Sequence, residues 1–330
     1  MPRKQGARGD LRAVSAPSAG TGHWVPRKVF VALQQFCEQD DSPLKVLEAA
    51  GFSIRRNTLG RRLKKEEIPA VLTDSEGVLA GVEPYDAEVL AALPRLRCIS
   101  RCGVGTDSID LQAAQKRSIA VLTTAEEVVE PAAQLTVAMI LALARNLPLH
   151  AREMPAGRWK KHTGHLLSEW MVGLVGFGRI ARAVERCLRP FGPRILAADP
   201  RLGPRDMPAG VRLCGLEELL RESDLVSLHA DRRPDEGPLL GEREIQGMKR
   251  GSRLVNTARG HLLDEAALQE ALQSSHLSGA ALDVFQEEPY SGPLLNLPQV
   301  LLTPHIASLT ASSRAAMELK AARNLVEFLQ

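Results

Sequence analysis

The chain is short of aromatic residues: three Trp, two Tyr and seven Phe make up 4% of it. Its basic cluster, Arg55, Arg56, Arg61, Arg62, Lys64 and Lys65, has no aromatic residue interleaved. That excludes a base-stacking platform, and the cluster reads as a solvated loop and helix face. Excess charge is also scarce. A net charge of +3 is too little to imply a nucleic-acid partner. No long apolar run is present. The longest, 135–143, is interrupted by Thr136 and ends at Arg145, so no membrane span is expected. The five cysteines, Cys37, Cys98, Cys102, Cys187 and Cys214, contain no CxxC pair. This argues against a disulfide framework and fits free thiols in a reducing cytoplasm. Cys98 and Cys102, at a predicted strand end, read as packing residues. Residues 1–26 carry Arg3, Lys4, Arg8 and Arg12 among small residues, without the apolar core of a secretory signal. They read as a disordered tail, with an organelle transit sequence as the alternative.

What is present is an alternation of short apolar runs and amphipathic segments. The length, 330 residues with 44% apolar and 25% charged, suits two globular domains. Strands are expected at 28–33, 77–80, 96–101 and 119–122, with helices at 43–50, 85–93 and 110–116. A second run of six strands is expected at 171–175, 194–198, 224–228, 253–256, 277–283 and 299–302. Strands separated by helices predict an α/β fold with parallel sheets and βαβ crossovers, and the second run has the length of a full dinucleotide-binding sheet. The most apolar helix, 131–146, must be buried in a core or a subunit interface. A last helix is expected at 310–329.

The most informative motif is Gly176-Phe177-Gly178-Arg179-Ile180-Ala181. An apolar strand leads into it, a helix with Ile180, Val184, Cys187 and Leu188 on one face leaves it, and the next strand ends in Asp199. Gly176 permits a tight turn. Gly178 lets the backbone approach a pyrophosphate, and Ala181 lets the helix pack on the sheet. The helix start offers N–H groups to the phosphates, and Arg179 adds a charge-assisted contact. Asp199 is placed to accept from the adenosine ribose and would repel a 2′-phosphate, which favours NAD; Arg201 partly offsets that repulsion.

Three polar residues follow predicted strands in the same half: Arg259, Glu288 and His305. Ligands of open α/β sheets bind at such strand ends. A 2-keto acid needs a fixed cation for its carboxylate and carbonyl, and a proton for the oxygen that becomes a hydroxyl. Arg suits the first role by its planar fork, and His suits the second. A carboxylate beside the His orients the ring. Together the three predict a nicotinamide-dependent dehydrogenase interconverting a small 2-hydroxy acid and its 2-keto acid. His162 and His165 lack a third ligand nearby, so no metal is expected. His229, after a strand end, is a weaker candidate near the cofactor.

From Lys28 onward the chain resembles the D-isomer-specific 2-hydroxyacid dehydrogenases, in the branch of phosphoglycerate dehydrogenases and glyoxylate/hydroxypyruvate reductases. The segments that carry the resemblance are 100–105 (Ser-Arg-Cys-Gly-Val-Gly), 175–180 (Val-Gly-Phe-Gly-Arg-Ile), 254–260 (Leu-Val-Asn-Thr-Ala-Arg-Gly), 281–285 (Ala-Leu-Asp-Val-Phe) with Glu288-Pro289, and Thr303-Pro304-His305. The resemblance implies Arg259, Glu288 and His305 as catalytic residues, Val104 and Gly105 as amide donors to the substrate carboxylate, and Asp283 as a nicotinamide contact. Thr257 and Ala258 fall with the cofactor residues. It implies a doubly wound Rossmann NAD-binding domain, 124–305, inserted in a flavodoxin-like doubly wound substrate domain made of 27–123 and 306–330. It also implies a homodimer, with helix 131–146 in its interface. Departures from the family pattern stand at Gly81, Ser108, 124–134 including Val128, Glu169-Trp170, Asp231-Arg232-Arg233 and His261. Gly81 falls where phosphoglycerate dehydrogenases carry a phosphate-binding Arg, which argues against 3-phosphoglycerate. The departures keep two alternatives open: an NAD-sensing protein similar to the C-terminal-binding-protein corepressors, and a dehydrogenase of formate or phosphite.

Overall fold

The computed structural model describes residues 27–231 and 234–330. The tail expected at 1–26, and Arg232 and Arg233 among the departures, lie outside the described residues.

The first half alternates strand and helix. It runs β1 (Lys28–Val31), α1 (Ser42–Ala49), β2 (Ser53–Arg56), α2 (Ile68–Leu72), β3 (Gly77–Ala80), α3 (Ala87–Ala91), β4 (Cys98–Arg101), α4 (Leu111–Lys116) and β5 (Ala120–Thr123). All pairings are parallel, in the order β2-β1-β3-β4-β5. This is the doubly wound flavodoxin-like order. β3 is buried on both faces, as a parallel strand between helix layers must be. β2 was not expected. Its sequence, Ser-Ile-Arg-Arg, carries no alternation, and the strand is an exposed sheet edge. Arg55 and Arg56 of the basic cluster therefore lie on a strand, where Arg55 pairs with Asp74. Arg61 pairs with Glu67 and Lys65 with Asp86 and Glu88, so much of the cluster's charge is locally balanced.

The chain then crosses to a larger unit through α5 (Val129–Ala144) and α6 (Leu147–Glu153). It continues as β6 (Met171–Val175), α7 (Arg179–Leu188), β7 (Arg194–Ala198), β8 (Val211–Leu213), α8 (Leu216–Glu222), β9 (Leu225–Leu228), α9 (Glu242–Gln246), β10 (Arg253–Asn256), α10 (Glu265–Gln273), β11 (Gly279–Leu282) and β12 (Val300–Leu302). The sheet is parallel, in the order β12-β11-β10-β9-β6-β7-β8. It has seven strands rather than the expected six. β8 was missed because it lies at the sheet edge, with Val211 and Leu213 only half-buried and Arg212 exposed. The strand order reverses between β6 and β9, which opens the crevice where dinucleotides bind in such sheets.

The most apolar helix, α5, packs on α7, β10 and β11 and is core for its own chain. The last helix, α11 (Ala311–Leu329), returns to the small sheet. There Met317, Ala321, Leu325 and Leu329 join Val29, Leu79 and Cys98 in one cluster with Leu47 of α1. The two crossings are tied together: Ser313 Oγ donates to Glu127 O at 2.8 Å, and Asn324 Nδ2 to Thr123 O at 3.2 Å. Among the described residues no single helix is long and apolar enough to cross a membrane.

Candidate active site

β6 delivers the glycine turn to the sheet's reversal point. Gly176 has φ +82°, and a Cβ there would lie 2.7 Å from the backbone of His229 and Ala230. Only glycine fits both the left-handed conformation and the close approach of the β9 exit. At Gly178 a Cβ would meet nothing within 4 Å, so the start of α7 is open. Open space above free helix N–H groups fits a pyrophosphate. Asp199 ends β7, nine-tenths buried, and accepts from Phe177 N and Arg201 N, both at 3.0 Å. Burial alone would raise its pKa. The two backbone donors and the Arg201 guanidinium outweigh burial and hold it below the usual value, so the carboxylate is a fixed anion.

Two cofactor candidates sit differently from the sequence expectation. Arg179 is drawn into an ion pair with Glu126 rather than standing free over the helix start. The Thr257 side chain turns into the core, where its hydroxyl lies 2.7 Å from that of Thr136. Ala258 follows in a turn braced by Asn256, whose amide accepts from Ala258 N and donates to Arg259 O. Ile180 is half-buried on the first turn of α7.

Arg259 leaves β10 and reaches the small sheet. Its Nε donates to Asp107 Oδ2 at 3.0 Å and its Nη1 to Ala258 O at 2.7 Å. A Cβ at Gly105 would lie 2.6 Å from Nη2, so the guanidinium rests against the glycine loop. That loop, Cys102 to Gly105, follows β4. Thr124 Oγ1 accepts from Gly103 N, and Arg101 donates to the carbonyls of Cys102 and Gly105. On its other side, Gly260 is pressed onto the segment after β11: a Cβ there would sit 1.9 Å from Phe285 C and O. That segment carries Glu288, whose Oε1 accepts from Phe285 N and whose Oε2 lies 2.8 Å from His305 Nδ1. A continuous line of contacts thus joins Gly105, Arg259, Gly260, Phe285, Glu288 and His305.

His305 has φ +55°, an uncommon conformation for a residue with a side chain. Asp283 holds it there. The carboxylate, fully buried, accepts from Thr303 Oγ1 at 2.5 Å and from Ile306 N and Ala307 N at 2.8 Å. Asp283 therefore lies beneath the His305 turn, with both oxygens engaged. With Nδ1 on Glu288, Nε2 of His305 has no partner among the described residues.

The other candidates sort away from the chemistry. His229 is bonded to Ser227 Oγ at 2.9 Å, and burial pushes its pKa down to about 4. It is neutral near pH 7. His162 pairs with Glu153 at 2.8 Å, and His165 lies 3.7 Å from Glu169. Burial raises the Cys98 thiol to about 12 and the Cys102 thiol to about 11, as packing residues. Sequence reasoning missed Asp107, Arg101, Thr124 and Asn256. Asp107 and Thr124 act on partners distant in sequence, whereas Arg101 and Asn256 stand inside the segments 100–105 and 254–260 without a role that their own pattern shows.

Comparison with known proteins places the fold in a family. The family model for the D-isomer specific 2-hydroxyacid dehydrogenase, NAD binding domain, matches residues 137–307. A glyoxylate reductase of Korarchaeum cryptofilum is 39% identical over 255 residues, which cover 74% of this chain and 77% of that one. A human D-3-phosphoglycerate dehydrogenase is 36% identical over 282 residues, covering 83% of this chain and 52% of that one, so the chain spans about half the length of that relative. The crystal structure of a D-lactate dehydrogenase from Aquifex aeolicus, complexed with NAD and lactic acid, superimposes with a TM-score of 0.80 at 28% identity, over 92% of this chain and 95% of that one. With just over half of its length matched by the family model and these relatives on both sheets, the chain belongs to the D-isomer specific 2-hydroxyacid dehydrogenase family.

Proposed function

We propose that the protein reduces short 2-keto acids to D-2-hydroxy acids, and runs the reverse oxidation, with its chemistry centred on Arg259, Glu288 and His305. The observation that carries this reading is the unbroken contact line from Gly105 through Arg259 to Glu288 and His305. NAD is the cofactor, and when bound it supplies or takes up the hydride. Gly176, Gly178 and the first turn of α7 with Arg179 and Ile180 would hold its pyrophosphate, and Asp199 its adenosine ribose. Thr257 and Ala258 would line its approach to β10 through their backbone.

In the same reading the backbone N–H groups of Val104 and Gly105 and the Arg259 fork hold the substrate carboxylate. This would present one face of the planar carbonyl carbon to hydride and lower the entropic cost of the encounter. His305 Nε2 gives its proton to the carbonyl oxygen during reduction and recovers it during oxidation. Glu288 fixes the ring through Nδ1, and Asp283 acts by holding the His305 turn. We assign 27–123 with 306–330 as the substrate domain and 124–305 as the cofactor domain. Family membership and the enzyme relatives favour this reading over the corepressor-like and formate or phosphite alternatives.

The test is NADH oxidation at pH 7 with glyoxylate, hydroxypyruvate and pyruvate. Turnover is expected with at least one, and Arg259→Ala should lower kcat/KM about 100-fold, about 3 kcal/mol of transition-state stabilisation, with NADH binding retained. Unchanged kcat/KM in that variant would sink the carboxylate-anchor role.

We further propose a homodimer in the cytoplasm. The compartment rests on the five free thiols. The dimer rests on Leu147, Met154, Trp159 and Leu166, each more than half exposed along α6 and the segment after it. Such a strip fits a second copy of the same surface. Sedimentation should give about twice 35.9 kDa, and a monomeric mass at micromolar concentration would exclude it.

A further inference from the structure

A buried carboxylate next to the glycine loop has no part in the chemistry above. Glu83 follows β3 and is 2% exposed. Its Oε2 accepts from Gly81 N at 2.7 Å, and a Cβ on Gly81 would lie 2.9 Å from its Oε1. The carboxylate is therefore folded over Gly81, at the carboxyl end of the small sheet. Ala80 is in register with Arg101 on the neighbouring β4, so the turn after β3 lies beside the loop assigned to the substrate carboxylate. Glu83 makes no ion pair among the described residues. The cations in electrostatic reach of it are Arg101 and Arg62. Arg101 is bonded to the Cys102 and Gly105 carbonyls and also feels Arg259 and Asp107. Electrostatic contact thus runs from Arg259 through Arg101 to Glu83.

Burial raises the Glu83 pKa above the usual carboxylate value, opposed by the backbone donors of Glu83 and Gly81 and by the Arg101 and Arg62 cations. In its ionised form the carboxylate has two effects here. It offsets the field of Arg101, the cation coupled both to Glu83 and to Arg259. It also repels a second anionic group on a substrate directly, in surroundings where charges are poorly screened. A buried carboxylate that outlived folding without a cation bonded to it needs a reason, since paired burial is the rule.

We propose that Glu83 is a specificity-determining residue that rejects 2-keto acids bearing a second anionic group, so that the substrate is a short, singly charged 2-keto acid. The proposal rests on the active-site reading given above and names the substrate class of that site.

The test compares two matched pairs in NADH oxidation: hydroxypyruvate against its 3-phosphate, and 2-ketovalerate against 2-ketoglutarate. Wild-type kcat/KM is expected to favour the singly charged member by about 100-fold. Glu83→Gln keeps size and the Gly81 bond while removing charge. It should narrow both ratios about 10-fold, through KM of the doubly charged member, and leave the singly charged member nearly unchanged. A merely structural role would slow both members alike and leave the ratio fixed, which overturns the proposal. So does a wild-type preference for the doubly charged members, a result that needs no variant to fold. Arg259→Ala run on the same pairs separates the two readings. If it abolishes turnover while Glu83→Gln leaves the ratios fixed, the site stands and only the role of Glu83 falls.

Discussion

Replacing His305 by alanine is expected to lower kcat for keto-acid reduction by about 10²–10⁴-fold while leaving NADH affinity within a small factor. The size follows from the lack of a substitute donor. Arg259 is committed to other partners, with Nε on Asp107 and Nη1 on Ala258 O. His229 is not an imidazolium at neutral pH, because burial holds its pKa near 4, and its Nε2 is engaged with Ser227. Glu288 faces Nδ1, on the other side of the ring from Nε2. Water could supply the proton, and that slower path sets the residual rate. Single-turnover absorbance at 340 nm separates chemistry from product release, and NADH fluorescence titration reports binding. A kcat within about threefold of wild type would remove His305 from the mechanism, because a positioned acid contributes far more than that.

Gly260→Ala is expected to damage both fold and activity. Its Cβ would stand 1.9 Å from two backbone atoms of Phe285, well inside contact distance, and neither can rotate away as a side chain would. The turn after β10 or the segment after β11 has to move. Overpacking of a buried site against backbone costs about 3 kcal/mol or more. Arg259 is the neighbour on one side of that contact, and Glu288 is three residues from Phe285 on the other. Displacement therefore separates the proposed carboxylate anchor, Arg259, from the proposed acid, His305. Calorimetry should show a Tm lower by several degrees, and the folded fraction should turn over substrate much more slowly even at saturation. A variant with wild-type Tm and kcat would mean that the two segments do not meet as closely as described.

Much of the fold was legible because parallel sheets bury their strands on both faces. β3, β9, β10 and β11 show as apolar runs, and four strand boundaries, those of β3, β6, β7 and β10, were read to the residue. The edge strands β2 and β8 escaped for the opposite reason: exposed edges carry no such run. The end of β2 even read as loop, because Arg55 and Arg56 looked like solvated charge. In the site, Gly176, Arg259, Glu288 and His305 were visible because each follows a readable strand. What their side chains touch was not. Asp107 meets Arg259 across 152 residues of sequence, and Asp283 reaches Ile306 and Ala307 over 23 and 24. The inward turn of Thr257 depends on Thr136, 121 residues away. Pairings at such separations are set by tertiary packing, between the two sheets for Asp107 and within the larger unit for the others, and no local pattern encodes them.

The return of α11 to the small sheet has a consequence for how the protein is made. Val29, Leu79 and Cys98 leave the ribosome well before Met317, Ala321 and Leu325, which cover them. At about 5–20 residues per second, the interval between β5 and α11 is roughly 10–40 s. Throughout that time one face of the small sheet has only α1 to shield it, and the larger unit gains its last strand, β12, only just ahead of α11. The exposed face is where a chaperone, or a neighbouring nascent chain, would first take hold.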